Sequence, residues 1–334
     1  MRVVRQLDAS LWSQFVERSA RGNIFHTPEM FEVFAGARGH HPRVWTVIDD
    51  RGHVMALFPT VDVTVVDGLL SHFTTRTVAY GSVLSDPGGG AQEALDLLFG
   101  TYRRETNGRI LFTELRNLAD LRDLQPVLSN RGFSYEPHLN YLIDLTRPPS
   151  EIWNGLRSNA RGHISKARKS GVVIEEVSDP NGIPAVYALL REVYKRFRVP
   201  LPHQSLFESA FRVLYPRGML RILLARLPEG NIGVRILLIY KSVVYDWYAG
   251  TLRRYSTCGV ADLLVWHALL LGQQTACGTF DFGGAGRPDE DYGVRDFKAK
   301  FGGCLVNFGR NICIHSPLRL RVSRAGYQLV KRFL

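Results

Sequence analysis

Between residues 219 and 250 the chain reads as three consecutive strands, MLRILLARL, GVRILLIY and VVYDWYAG, separated by turns at Pro228-Glu229-Gly230 and Lys241-Ser242. Strands joined by turns this short run antiparallel, because a parallel return needs a crossover of a dozen or more residues. A doubly wound, all-parallel sheet is therefore excluded. A helix over 259–275, apolar nearly all round, follows and leads into the strand TFDFGG. Ahead of the three strands, helices are expected over 150–170, 184–197 and 204–214, with the strand GVVIEEV between the first two and Ser150 as the first helix's cap. The result is a mixed α/β order with largely antiparallel sheets.

The N-terminal part repeats that order more loosely. A short strand at Val3 and Val4 precedes a helix capped by Ser10, then a helix from Thr27 and Pro28 to Phe34. A hairpin turns at Asp50-Arg51-Gly52, a helix spans 91–104, and strands cover 109–115 and 140–145. With 334 residues, two domains are expected. The Arg147-Pro148-Pro149-Ser150 stretch divides them into 1–147 and 148–316, with a helix over 317–334 closing on the first.

Lys and Arg number 42 against 31 Asp and Glu, a balance of +11 that favours an anionic partner. The apolar runs fall short of the ~20 residues of a membrane span, and the start carries no signal-peptide pattern, so a cytoplasmic location is expected. Cys258, Cys277, Cys304 and Cys313 are too irregularly spaced for a disulfide framework or a CxxC metal site. The ten histidines form no metal-ligand motif, and no Ser/His/Asp triad assembles from spacing, so no metal is expected.

Three segments can carry chemistry. The 150–170 helix places Arg157, Arg161 and Arg168 on one side at about 100° per residue, a stripe suited to phosphate oxygens or simply a solvated face. The acid-poor segment 317–334 spaces Leu318, Val322, Ala325, Leu329 and Phe333 every three or four residues, with Arg319, Arg324, Lys331 and Arg332 towards solvent. It reads as a packed closing helix or as one resting on an anionic membrane at the inner face. In Thr279-Phe280-Asp281-Phe282-Gly283-Gly284 a strand ends in two glycines; an acidic loop and Asp296-Phe297-Lys298-Ala299-Lys300-Phe301-Gly302 follow. A lysine between aromatics can be desolvated and meet a phosphate or oxyanion, while the loop alone reads as an ordered Ω-loop.

Together, the Arg161-Gly-His-Ile-Ser-Lys-Ala-Arg-Lys-Ser-Gly-Val helix and the Phe-Lys-x-x-Phe-Gly block resemble the FemAB family of peptidoglycan bridge aminoacyltransferases and their acyltransferase relatives. The resemblance covers nearly the whole chain and implies tandem acetyltransferase-like (GNAT) domains. It assigns Lys298 to the acyl donor or its developing oxyanion, Tyr248 to the acceptor substrate, and Arg196 to the acceptor's anionic group, with Phe297 beside the lysine. The family's N-terminal lysine for a nucleotide phosphate has no counterpart in residues 25–34. Acetyl-CoA enzymes of this fold carry a loop whose amides cradle pyrophosphate at a helix N-terminus. Its place here is Ser256-Thr257-Cys258-Gly259-Val260-Ala261, where Ser256, Gly259 and Ala261 match the spacing, although such a segment is also the ordinary first turn of a buried helix.

Acyl transfer to an amine requires a positioned amine, a proton acceptor and oxyanion stabilisation. Asp281 and Asp291 are the candidate proton acceptors, or else structural ion-pair partners. The expectation is a metal-independent N-acyltransferase using charged tRNA or acyl-CoA as co-substrate, without a tightly bound cofactor. Its acceptor would be an amine of a cell-envelope or polysaccharide precursor. The alternative is a non-catalytic RNA-binding or membrane-associated module of the same fold.

Overall fold

Strand pairing, more than the proline-rich stretch, divides the chain. The computed structural model describes residues 1–64, 68–323 and 325, apart from the side chains of Leu69, Leu70 and His72. Its compact units are Met1–Pro137 with Phe308–Leu334, and His138–Asn307. The boundary thus lies before the 139–144 strand, not after it. That strand pairs antiparallel with strands on both sides of it in the second sheet, while Arg310–Ile314 pairs in the first. An apolar strand needs partners for its amides and carbonyls but carries no label saying which sheet supplies them.

With elements numbered along the chain, the first unit contains β1 (Arg2–Val4), β2 (His40–Ile48), β3 (Val54–Thr64), β4 (Thr75–Tyr80), β5 (Leu84–Ser85), β6 (Phe112–Arg116), β7 (Ser134–Glu136) and the returning β15 (Arg310–Ile314). Their order is β1-β2-β3-β4-β6-β15-β7, with β5 beside β3. Among the described residues only β4 and β6 are parallel, joined by α3 (Ala91–Thr106), whose Leu95, Leu98, Phe99 and Tyr102 pack on Trp45, Phe58 and Leu115. At the N-terminus, α1 (Ala9–Arg18) is capped by Asp8, whose carboxylate accepts from the amides of Ser10 and Leu11, so Ser10 lies inside the first turn. Helix α2 (Pro28–Ala35) starts at Thr27 as expected, and α4 (Gln125–Asn130) precedes β7.

The second unit contains β8 (Leu139–Asp144), β9 (Val173–Glu176), β10 (Leu220–Leu227), β11 (Gly230–Tyr240), β12 (Val243–Thr251), β13 (Thr279–Gly284) and β14 (Cys304–Asn307). Their order, β9-β10-β11-β12-β13-β8-β14, matches the first sheet position for position, with the fourth and fifth strands again parallel. The helices are α5 (Pro149–Gly155), α6 (Ser158–Lys169), α7 (Ile183–Phe197), α8 (Ser205–Leu214), α9 (Val260–Gln274) and α10 (Gly293–Ala299). Buried α9 joins the parallel pair and lies close on the sheet. A Cβ at Gly233 would stand 2.9 Å from Val260, and one at Gly272 would stand 2.5 Å from Leu145.

The helix expected over 150–170 is two helices. Leu156 and Arg157 are extended between α5 and α6, and the cap of α5 is Pro148, not Ser150. The break is held by the Arg161 guanidinium, which donates to the carbonyls of Asn154 and Leu156, and by the Arg157 amide, which donates to the Lys300 carbonyl at 2.8 Å. Of the C-terminal helix, residues 317–323 are described and helical; Arg324, Leu329, Lys331, Arg332 and Phe333 lie outside the described residues. Leu318 and Val322 face solvent. No helix among the described residues is long and apolar enough to cross a membrane.

Candidate active site

The parallel pair of the second unit opens. β12 and β13 are in register over Val243–Tyr245 and Thr279–Asp281, yet β12 continues to Thr251 and β13 to Gly284. On its other edge β12 is bulged: Leu237 opposes Asp246 and Ile236 opposes Tyr248, leaving Trp247 outside the pairing register. A parted strand pair next to a bulge exposes backbone groups that a closed sheet consumes. Here Asp246, Trp247 and Tyr248 stand at that place. Tyr248 is half-buried, with its ring edge-on to Phe207 and Trp247, each at 5.0 Å, and 6.1 Å from Tyr194.

Lys298 is buried at the end of β13, and its Nζ donates to three backbone carbonyls, those of Phe282 (2.5 Å), Gly283 (3.0 Å) and Gly284 (2.9 Å). An ammonium has three hydrogens, and all three are committed. In this geometry Lys298 fixes the end of the strand on which such a site would be built. Burial lowers its pKa to about 8, against the opposing charges of Asp246 and Asp281. Asp281 is likewise structural. Its Oδ1 accepts from the Asn140 side chain and the Gly283 amide, both at 2.7 Å, and burial pushes its carboxyl up from the usual range. Gly283, at φ +69°, makes the turn that brings its amide back to Asp281.

A pair absent from the sequence expectations occupies the parting itself. Arg235 of β11 donates through Nη1 to Oδ2 of Asp246 at 2.5 Å, and the two side chains are only 4% and 10% exposed. Each keeps one buried atom without a partner, Nε of Arg235 and Oδ1 of Asp246. Buried polar atoms are nearly always satisfied, so two orphans on one ion pair leave hydrogen bonds that a bound group can supply. Nearby, the Tyr194 phenol is pushed up to about 12 by burial and by the Asp246 charge. A charged residue inside each of the apolar strands GVRILLIY and VVYDWYAG was the available signal.

The remaining expected residues do not converge here. Phe297 packs edge-on to Phe301 at 5.3 Å and belongs to the core beneath α10. Arg196 is exposed at the end of α7, over the Phe197 ring. Arg157 is the exposed N-cap of α6, and Arg161 is spent on the α5–α6 turn, so the arginine stripe is not a free phosphate-binding face. Ser256 is exposed in a 3-10 turn, while Gly259 (φ +76°) backs onto α6, where a Cβ would meet the His163 carbonyl oxygen at 2.1 Å. Ala261 lies in the first turn of α9 beside Asp262, a buried acid that Lys300 (2.6 Å) and His163 (3.4 Å) counter. The place expected for a pyrophosphate thus already has its own carboxylate. Asp291 is exposed in a loop held by Arg295, which donates to the carbonyls of Ala285 and Glu290, each at 2.9 Å.

Residues 154–298 match the family model of the acetyltransferase (GNAT) domain. No curated protein matches the sequence significantly. Among solved structures, the chain is similar to FemX, at 14% identity and TM-score 0.72, over 97% of this chain and 100% of that one. It is also similar to a tandem GNAT protein from the clavulanic acid biosynthesis pathway, at 12% identity and TM-score 0.60, over 95% and 99% of the two chains. A third similar structure is the C-terminal domain of a putative lysylphosphatidylglycerol synthetase from Agrobacterium fabrum, at 12% identity and TM-score 0.58, over 96% and 95%. The chain therefore has the fold of FemX and of the tandem GNAT proteins, and its residues 154–298 match the model of the GNAT acetyltransferase domain.

Proposed function

We propose that the protein is an N-acyltransferase that moves an aminoacyl or acyl group onto an amine of a cell-envelope or polysaccharide precursor, with the reaction centre at the parting of β12 and β13. The observation that carries this reading is the unpartnered, buried Oδ1 of Asp246 at the open end of that strand pair. The amine nitrogen attacks the donor's carbonyl carbon, the C–N amide bond forms, and the C–O or C–S bond to the donor breaks. Asp246 takes the proton the amine loses and returns it to the leaving oxygen or sulfur as the bond to the donor breaks. The backbone at the Trp247 bulge, outside the ladder, is suited to the developing oxyanion. Lys298 holds β13 in place for this and does not itself touch the reacting atoms.

The segment before α9 favours a charged tRNA over acyl-CoA as donor, since Gly259 is packed against the His163 carbonyl and Ser256 stands where acetyl-CoA enzymes of this fold carry Gln or Arg. The blocks shared with FemAB enzymes support an envelope precursor as acceptor. The test is a transfer assay with bulk aminoacyl-tRNA and with acetyl-CoA, each offered a panel of amino sugars and amino acids, read by mass spectrometry of the amide product. Transfer from charged tRNA that Asp246→Asn abolishes supports the proposal. No transfer from either donor, with salt-sensitive RNA binding instead, contradicts it in favour of a non-catalytic RNA-binding module.

A further inference from the structure

The first sheet carries a cluster of charges on one face, distinct from the second unit's Arg235–Asp246 pair. Side chains alternate along a strand, so Arg76, Val78 and Tyr80 of β4 share one face. The pairings Val78 with Glu114, Tyr80 with Arg116 and Arg116 with Arg310 extend that face across β6 to β15. Glu114, 8% exposed, accepts from Arg116 at 3.1 Å and from Nη1 of Arg310. Burial acts to raise its pKa, yet Arg116, Arg310 and Arg76 together hold the carboxyl below the usual range. Glu136, opposite Arg310 on β7, is a second carboxylate of this face.

Arg76 is the unsatisfied member. Among the described residues its guanidinium has no hydrogen-bond partner, and its Nε is shut off from solvent. A half-buried guanidinium whose Nε has no acceptor carries a desolvation cost that no hydrogen bond repays. Its two flanking arginines remain about one-third exposed, at 33% and 28%, so a ligand can reach them. Beside them, Tyr80 is stacked between Phe25 at 5.4 Å and Phe34 at 5.3 Å, with Arg116 over its ring at 5.1 Å. The aromatic stack fixes the strand end that carries the charges.

We infer that this face of the first unit binds the oxyanion of a small ligand, a phosphate or carboxylate group, with the two Nη atoms of Arg76 as the open donors and Arg116 and Arg310 the flanking positive charge. The two Nη atoms of a planar guanidinium pair end-on with two oxygens, which either anion supplies. The site is independent of acyl transfer, since none of its residues belongs to the proposed reaction centre.

The test is titration of the full chain with inorganic phosphate and with malonate, against chloride at matched ionic strength, read as melting temperature and by calorimetry. Arg76→Gln is the diagnostic variant, because Arg76 makes no hydrogen bond whose loss would unfold the protein. The expected result is a rise in melting temperature above the chloride control, with affinity about tenfold weaker in Arg76→Gln. A response to phosphate alone identifies a phosphate ester as the ligand group, and one to malonate alone a carboxylate. No rise above chloride with either anion, or an equal rise in Arg76→Gln, overturns the inference.

Discussion

The two parallel strand pairs occupy the same position in sheets of the same order, yet they differ in how far they close. β4 and β6 stay in register through Tyr80 and Arg116, and the Gly81 amide extends the contact to the Arg116 carbonyl at 2.9 Å. β12 and β13 part after Tyr245 and Asp281. Closing the first pair consumes its backbone groups in the sheet and leaves charged side chains as what that unit presents. Opening the second leaves backbone and a buried ion pair at the gap, held in shape by Lys298. One topology thus carries two different strand ends, distinguished by three or four residues.

The largest effect that can break this comparison is at Asp246. Asp246→Asn should lower the transfer rate by about 10²–10⁴-fold, the usual contribution of a general base, in a steady-state assay. The same change leaves Arg235 without its counter-charge and should cost about 3–5 kcal/mol in urea unfolding. The double replacement Arg235→Met with Asp246→Leu separates the two effects: it should recover most of the stability and none of the activity.

Lys298→Met comes next. It should destabilise the second unit by about 3 kcal/mol, because three buried carbonyls lose their donor, and activity should fall together with folding. Activity lost at unchanged stability would instead make Lys298 a catalytic group. Its titration gives a signed check. Its folded pKa, about 8, lies below the ordinary lysine value, so the unfolded chain binds the extra proton between the two values. The burial cost is fully present below pH 8 and fades as pH rises towards the unfolded value. Wild type should therefore gain stability relative to Lys298→Met over that window.

A smaller loss, about 1–3 kcal/mol, is expected for Gly259→Ala from its positive φ and the contact with the His163 carbonyl, measured by thermal unfolding. Smallest of all is Arg196→Ala. The side chain is exposed, so stability should change by less than about 0.5 kcal/mol and the transfer rate should not move.

Strand succession was legible because turns at 228–230 and 241–242 permit only antiparallel neighbours. The sheet to which Leu139–Asp144 belongs was not, since its apolar pattern is the same in either one. Lys298 stood out by sequence, but its role did not, because its ligands are main-chain carbonyls that leave no trace in residue identity. Arg235 and Asp246 are visible as charges within apolar strands. Their pairing is hidden by the bulge at Trp247, which sets Asp246 opposite Leu237 and Arg235 opposite Ala249. The break in the helix that carries the arginine stripe was not legible: Gly155 ends α5, which turns Arg157 into a cap and Arg161 into a clasp for the turn.

The central claim is that the parted strand pair of the second unit, and not the closed pair of the first, receives the acyl donor. Hydrogen exchange of the full chain with and without a non-hydrolysable aminoacyl-tRNA analogue tests it most directly. Protection gained over residues 245–250 and 281–284, with 77–80 and 113–116 unchanged, is the predicted result. Protection gained at the β4–β6 pair alone, or at neither pair under saturating analogue, would contradict it.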